Sequence, residues 1–188
     1  AVSFEERAAL CATSTEKPKV EGLTASEMAG RVEEGLRERS WFVTGLVDAT
    51  LFADSFQFSD PSVSASSLEE YARGVSRFFT QGESGARMKV IYAKPTKPNE
   101  IQVCWWLDAQ VNLPGKPRIK PYIVITTYRI NAKGLICYQE DAFAIPEWDI
   151  ALSAFLKGIG APSALEPEED PTNNNIKNNK NNKKKQQH

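Results

Sequence analysis

Length, composition and charge place this chain among single-domain globular proteins and exclude several functional classes. Its 188 residues, of which 41% are hydrophobic and 25% charged, fit one domain with tails. No run of about 18 apolar residues occurs, so we predict no transmembrane segment. Five lysines lie in the last sixteen positions, which leaves residues 1–172 with 18 basic and 24 acidic side chains. A body of net charge −6 does not suit specific nucleic-acid binding, which requires neutralisation of phosphates.

The first predicted element follows an N-terminal arm, residues 1–23, and is an amphipathic helix over 25–39. Thr24 and Glu27 form a capping box, in which a hydroxyl and a carboxylate satisfy backbone donors at the helix start. Apolar side chains at helical spacing predict the buried face of this helix: Met28, Val32 and Leu36.

Two further helices and a short strand are predicted before the middle of the chain. Apolar spacing favours a helix over 46–54, and the alternation of residues 56–58 favours a short strand. Ser66 or Ser67 then caps a third helix over 68–80, which carries one apolar stripe.

The second half of the domain is predicted to be a run of strands closed by a helix. The strand segments are 87–93, 101–111, 121–131 and 135–145. The last two are joined by a tight turn, Asn131–Gly134, in which glycine can adopt a positive φ. A final amphipathic helix is predicted over 147–158.

The domain is therefore predicted to span residues 24–160, and residues 161–188 form a tail. The tail is acidic over 165–170 and consists almost entirely of Asn, Lys and Gln from residue 173 onward. Such a composition buries too little apolar surface to offset its ordering entropy, so we predict disorder. Its lysines can contact an anionic surface through salt-sensitive attraction. The alternative is low-complexity sequence without a function.

The residue types that carry much of enzyme chemistry are nearly missing from the chain. The single histidine, His188, is the last residue, which argues against Ser–His and Cys–His nucleophile systems and against histidine-rich metal sites. Cys11, Cys104 and Cys137 have spacings unlike those of a zinc site, and we interpret them as reduced thiols. We predict neither a metal nor a cofactor.

The order of elements resembles the nuclear transport factor 2-like superfamily, which includes SnoaL-like proteins. Leu51–Pro61 resembles its recurring helix end, short strand and Asp-Pro signature, and Thr127–Ile136 resembles its last hairpin. The resemblance implies an α+β fold in which a curved antiparallel sheet wraps around N-terminal helices to form a cone with a pocket. Trp41–Gly45 and Glu70–Val75 further resemble a plant, algal and cyanobacterial branch without an established activity. That branch implies a chloroplast location.

The ketosteroid isomerase branch of this superfamily supplies an enzymatic hypothesis. Its general base is an Asp before Pro, which Asp60 matches. The resemblance places the two donors of that branch's oxyanion hole at or near Leu36 and Thr126. Leucine cannot donate a hydrogen bond, and threonine is a poorer donor than a protonated carboxyl, so stabilisation of an enolate is lost. The alternative for Asp60 is a turn, in which its side chain binds the backbone ahead and Pro61 fixes φ.

Four polar residues are predicted to line the pocket. They are Asp60, Thr126, Tyr128 and Asp108. Asp108 stands out because it is a carboxylate on an aromatic-rich strand. Its alternative is an ion pair across neighbouring strands, with Arg118, Lys120 or Arg129.

Two adjacent tryptophans predict a surface for a protein partner. Trp105 and Trp106 lie in one strand, so alternation directs their rings to opposite faces of the sheet. Ile123 and Ile125 belong to a strand that is apolar on both sides as well. We predict that a convex face built from these residues is buried in a homodimer or a larger assembly.

Two functions remain open at this point. The favoured one is a non-catalytic pocket protein that acts by association, as an accessory subunit of a photosynthetic membrane complex in the chloroplast. The alternative is an enzyme or carrier for a small apolar molecule, with Asp60 as base together with Thr126 or Tyr128.

Overall fold

The structure, a computed structural model, describes residues 17–82, 84–153, 156, 160 and 162–168. In chain order the elements are α1 (Ala25–Arg39), α2 (Trp41–Thr44), a 3-10 turn (Ala49–Leu51), β1 (Phe52–Ser59), β2 (Ser64–Ala65), α3 (Leu68–Phe78), β3 (Arg87–Lys97), β4 (Glu100–Gln110), β5 (Arg118–Ile130), β6 (Ile136–Phe143) and α4 (Glu147–Ser153). Most of the predicted N-terminal arm, the end of the predicted last helix and the tail beyond residue 168 lie outside the described residues.

The strands form one curved sheet in the order β2-β1-β6-β5-β4-β3. Neighbouring strands are antiparallel except β1 and β6, which run parallel and pair Phe58 with Gln139. The predicted α+β class, a curved sheet around helices, is confirmed, and the sheet is mixed. The parallel pair has a consequence for the site, since Ser59 lies opposite Glu140 and the chain beyond β1 therefore runs beside the end of β6.

Two local signals fold as the sequence predicts. The backbone N–H of Glu27 donates to Thr24 Oγ1 at 3.3 Å, and the Thr24 N–H donates to Glu27 Oε2 at 2.9 Å, which starts α1. In the β5–β6 turn, Asn131 Oδ1 accepts from the backbone of Lys133 and Leu135. Gly134 has φ of +77°, the left-handed conformation that glycine adopts without a side-chain clash. The turn fixes how β5 and β6 pair.

The predicted helix over 46–54 is wrong. Gly45, with φ of +75°, ends α2, and the Asp48 side chain accepts from the Thr50 N–H at 3.2 Å to begin the 3-10 turn. The chain then enters β1 at Phe52, so the short strand predicted over 56–58 is part of an eight-residue strand. The pairing of β1 with β6 makes this region a strand, because contacts within the sheet outweigh the weak helical spacing of its apolar residues.

The core lies between α1 and the concave face of the sheet. Helix α1 packs against β3 and β4, and its apolar stripe is buried. Trp41 is fully enclosed, contacts Phe42 and Phe52 edge-on, and donates from Nε1 to the Tyr128 hydroxyl at 3.4 Å. An aromatic core with few polar groups therefore surrounds the inner surface of β5.

Candidate functional site

A connected row of polar side chains lies on the concave face of the sheet, where three of them are buried and Asp141 is half-buried. It consists of Tyr71 from α3, Thr126 from β5, and Gln139 and Asp141 from β6, and we call it the polar row. Thr126 lies opposite Asp141 in the β5–β6 pairing. Alternation along each strand directs both side chains to the same face.

Hydrogen bonds link the whole row. The Thr126 hydroxyl accepts from Trp105 Nε1 at 3.0 Å and donates to Asp141 Oδ1 at 2.7 Å. Gln139 Nε2 donates to the same Asp141 oxygen at 3.1 Å and to the Tyr71 hydroxyl at 3.2 Å. Asp141 Oδ1 therefore receives two donors from the protein. The contacts hold the carboxyl in one orientation.

Gln139 Oε1 is a buried acceptor without a partner among the described residues. The Gln139 side chain is 0% exposed, so bulk water does not reach it. An unpaired buried acceptor costs about 1–3 kcal/mol, so a group that donates to it would be stabilising. The row thus contains an unpaired acceptor next to a carboxyl.

The pKa of Asp141 is raised to about 7. Burial among aromatic rings is the main cause, and the negative charge of Asp60 adds to it, whereas the hydrogen bonds from Thr126 and Gln139 lower the pKa. At neutral pH the carboxyl is divided between its two protonation states. A group with such a pKa can accept or release a proton, or bind a cation, under ordinary conditions.

The tyrosines around the row remain neutral hydroxyls. Burial raises the pKa of Tyr71, Tyr122 and Tyr128, and the charge of Asp141 raises it further in each. Tyr122 packs edge-on against Phe143 near Asp141, with ring centroids 5.8 Å apart. Neutral hydroxyls of this kind donate hydrogen bonds without adding charge.

Asp60 lies beyond the end of β1, close enough for its charge to raise the pKa of Asp141. Its Oδ1 accepts from the backbone N–H of Ser62 at 2.7 Å and of Val63 at 2.6 Å. This is the turn geometry that the sequence offered as an alternative to a catalytic base. Thr126 and Tyr128 face the interior as predicted, but Asp60 joins the site at its rim rather than at its centre.

Asp108, predicted to line the pocket, lies on the opposite face of the sheet. Its carboxylate pairs with Arg118 at 2.6 Å and Arg87 at 2.7 Å. Burial opposes its ionisation, but the two arginines outweigh that effect and hold the pKa of Asp108 below its usual value. The pocket prediction is wrong for this residue, and the alternative of an ion pair with Arg118 describes it.

The adjacent tryptophans point to opposite faces as predicted, yet neither is exposed. Trp105 is 3% exposed and lies in the core beside Thr126, so it does not belong to a convex surface. Trp106 faces outward but is only 2% exposed; its Nε1 donates to the Ala164 carbonyl of the same chain, and the Arg87 guanidinium lies over its ring. Ile123 and Ile125 are half-buried. Residues 162–168 belong to the predicted disordered tail, and the structure instead places them along the sheet.

Sequence reasoning did not assign Gln139, Asp141 or Tyr71 to the pocket. Asp141 was visible as an acid on a strand, but its orientation follows from pairing with Thr126. For Asp108 a signal was available, since a residue two positions from Trp106 must share its face. Among the described residues, no group of His, Cys, Asp and Glu side chains is arranged to hold a metal ion, and no helix is long and apolar enough to cross a membrane.

The fold and the site together define an α+β cone of the nuclear transport factor 2-like type, with a half-buried carboxyl on the concave face of its sheet. A SnoaL-like protein from Jannaschia sp. CCS1 is similar in structure, with a TM-score of 0.53 and 10% identity over 69% of this chain and 92% of that one. A hypothetical protein with a ketosteroid isomerase-like fold from Catenulispora acidiphila DSM 44928, in complex with trimethylamine, has a TM-score of 0.51 and 13% identity over 72% of this chain and 98% of that one.

The sequence itself identifies the family. Residues 29–139 match the family described as "Uncharacterized conserved protein (DUF2358)", and the chain belongs to it. No curated protein sequence matches the chain.

Proposed function

We propose that this protein binds a small, largely apolar molecule that presents a hydrogen-bond donor to the polar row. The observation that carries the proposal is the buried, unpaired Gln139 Oε1 beside the Asp141 carboxyl. A donor group on a ligand would satisfy that oxygen and remove its desolvation cost. A site of this type is mostly apolar with a few fixed polar groups.

The chemistry of the ligand follows from the surroundings of the row. Aromatic rings enclose it, including Phe42 against Trp105 and Phe58 against Tyr71, each with centroids 4.8 Å apart. Gln139 Oε1 and the Asp141 carboxylate both accept hydrogen bonds, so the ligand must donate. A primary amine fits best, because its ammonium form supplies several donors and pairs with the carboxylate.

A catalytic form of this function would use Asp141 rather than Asp60. The pKa of Asp141, about 7, suits a general base, whereas Asp60 Oδ1 is engaged by two backbone donors. The neutral hydroxyls of Tyr71 and Tyr128 could donate to a developing oxyanion. The isomerase-like alternative is thereby kept, with the general base on β6 (Asp141) instead of after the neighbouring strand β1 (Asp60).

The experiment compares ligands that differ only in their polar group. Cyclohexylamine, cyclohexanol and methylcyclohexane are titrated into the full chain by calorimetry at pH 8, where the carboxylate predominates. We expect the amine to bind most tightly and the hydrocarbon at least about tenfold more weakly, since one charge-assisted hydrogen bond contributes about 1.5–3 kcal/mol. Asp141→Asn should abolish the preference for the amine.

A matched control separates the site from general charge effects. Glu140→Gln changes the next residue on β6, which faces outward and is 53% exposed. It should leave all three affinities unchanged. Equal affinities for the three compounds in the wild type, or an unaltered amine preference in Asp141→Asn, would exclude the proposed site.

Other functions predicted from the sequence rest on fewer observations. Trp106 contacts its own chain rather than solvent, so its predicted exposure does not support a homodimer, and association through Ile123 and Ile125 stays a prediction. The chloroplast location and a role as an accessory subunit also stay predictions from the resemblance. Contact of the lysine-rich tail with an anionic surface concerns residues outside those that the structure describes.

A further inference from the structure

A second candidate site lies on the outer face of the sheet, away from the polar row. Its side chains are Trp106 on β4 and Arg87 and Lys89 on β3, and with Pro121 on β5 they form what we call the outer groove. Residues 162–168 lie along it. The chain's own segment therefore shows what kind of ligand the outer groove accepts.

Most of the contacts with this segment are made by its backbone. Trp106 Nε1 donates to the Ala164 carbonyl at 3.1 Å, and the Ala164 N–H donates to the Pro121 carbonyl at 2.8 Å. Lys89 Nζ donates to the Pro167 carbonyl at 3.3 Å. Backbone groups are common to every peptide, so these contacts select an extended conformation more than a sequence.

Charge supplies the selectivity that backbone contacts lack. Glu166 pairs with Lys89 at 2.8 Å and lies 3.6 Å from Arg87, whose guanidinium sits over the Trp106 ring at 5.6 Å. The segment overlaps the acidic stretch 165–170. An acidic peptide on a basic and aromatic surface is complementary in charge.

The segment repeats its contacts at the spacing of a polyproline II helix. Ala164 and Pro167, three residues apart, are half-buried and offer the two bound carbonyls, whereas Leu165 between them is 91% exposed. A polyproline II helix has three residues per turn, and Pro162 and Pro167 favour it. Docking of such a helix in a groove lined by aromatic side chains is a recurring mode of peptide recognition.

We propose that the outer groove is a docking site for an extended, acidic, proline-containing peptide of a partner protein, with residues 162–168 as an internal competitor. The competitor is held reversibly, because its ion pairs are partly exposed and such pairs contribute about 0–1 kcal/mol each. It buries no large apolar side chain, since Leu165 faces solvent. At equal intrinsic affinity, a partner peptide displaces the attached segment when the peptide concentration exceeds the effective concentration of that segment, which is about millimolar for short linkers.

The test uses a fluorescein-labelled peptide with the sequence of residues 161–171 and the full chain. Glu166→Lys places a positive charge against Lys89 and Arg87, which releases the internal segment and opens the groove. We expect the labelled peptide to bind this variant at least about tenfold more tightly than the wild type, and to dissociate as salt rises. A peptide with every Glu and Asp replaced by Gln and Asn is the control and should bind weakly.

Further substitutions in the Glu166→Lys background locate the peptide. Arg87→Gln and Trp106→Phe should each weaken binding several-fold, whereas Arg129→Gln, which removes a charge from a side chain paired with Glu140, should not. The proposal is overturned if a natively folded Glu166→Lys chain does not bind the peptide at millimolar concentration. It is also overturned if Arg129→Gln and Arg87→Gln weaken peptide binding equally. A wild-type dimer that the free peptide dissociates would also overturn it, and would assign the groove to a second copy.

Discussion

Thr126 on β5 donates a hydrogen bond to Asp141 on β6 at 2.7 Å, and the same hydroxyl accepts from Trp105 at 3.0 Å. A single hydroxyl thus satisfies a buried indole N–H and orients the carboxyl of the proposed site. Thr126→Val keeps the shape of the side chain and leaves the indole without an acceptor. We expect the free energy of unfolding to fall by about 1–3 kcal/mol in urea denaturation.

The neighbouring residue is the control for that substitution. Thr127→Val makes the same chemical change on the outward face of β5 and should alter stability by less than about 0.5 kcal/mol. Carbon-13 titration of Asp141 adds a second measurement. Loss of the Thr126 hydrogen bond should raise the Asp141 pKa above its wild-type value, since that bond lowers it. Equal effects at positions 126 and 127 would contradict the assignment.

Asp141 should make the stability of the protein depend on pH in an unusual direction. In the unfolded chain this carboxyl titrates near 3.8, and in the folded chain near 7. Between these pH values the folded state keeps a proton that the unfolded state has lost, so stability falls as pH rises from about 4 to about 7. At about 1.4 kcal/mol per pKa unit, the loss is at most about 4 kcal/mol.

Asp141→Asn tests this sign directly. Asparagine cannot ionise, so the variant should match the wild type near pH 4 and exceed it in stability near pH 8. Glu140→Gln, on the same strand, should leave the wild-type slope intact. The measurement is the urea midpoint of each protein between pH 4 and pH 8. A raised pKa of Asp141 would be contradicted if the wild type became more stable across this range and Asp141→Asn were less stable than the wild type.

Local sequence signals were sufficient to predict where helices and turns begin and end, but not to predict which strands pair. The capping box at Thr24 and the Asn131–Gly134 turn depend on neighbouring residues alone, and both were predicted. The region over 46–54 was mistaken because the pairing of β1 with a strand some eighty residues away in sequence decides its conformation. Such pairings leave no local trace.

The site was predicted only in part, because some of its residues also depend on strand pairing. Thr126 and Tyr128 are both buried on the concave face, since alternation along β5 is local, and their lining of a pocket stays a prediction. Asp141 and Gln139 needed the register between β5 and β6, which includes a bulge between Arg129 and Ile130. Coverage of Trp106 could not be foreseen, because residues 162–168 have the composition of a disordered segment and are held by individual contacts.

Substitutions of Asp60 distinguish a structural role in the turn from a role as catalytic base. Its Oδ1 holds the turn after β1 through the N–H groups of Ser62 and Val63. Asp60→Ala removes the acceptor and should lower the free energy of unfolding by about 0.5–2 kcal/mol, as for a lost helix cap. Asp60→Asn keeps an acceptor oxygen and should be close to the wild type in stability and in amine binding. If Asp60→Asn abolished ligand turnover while leaving the fold intact, Asp60 would regain the role of base.

The interior of the cone also depends on one close approach, between Gly35 on α1 and Trp41. A Cβ at position 35 would lie 2.3 Å from Cζ3 of the fully buried indole, so the ring would have to move. Overpacking of this kind costs about 1–3 kcal/mol. Trp41 donates to Tyr128, so a displaced indole should also disturb that hydroxyl beside the polar row.

Gly30 provides a matched substitution in the same helix. A Cβ there meets nothing within 4 Å, so Gly30→Ala should stabilise the protein by about 0.5–1 kcal/mol through helix propensity alone. We therefore expect the two alanine variants to shift the urea midpoint in opposite directions. Only Gly35→Ala should weaken binding of the amine, because only its Cβ reaches the ring that contacts Tyr128. Shifts of equal sign and size would mean that Trp41 has room to move, and that the aromatic wall behind the site is less rigid than its packing indicates.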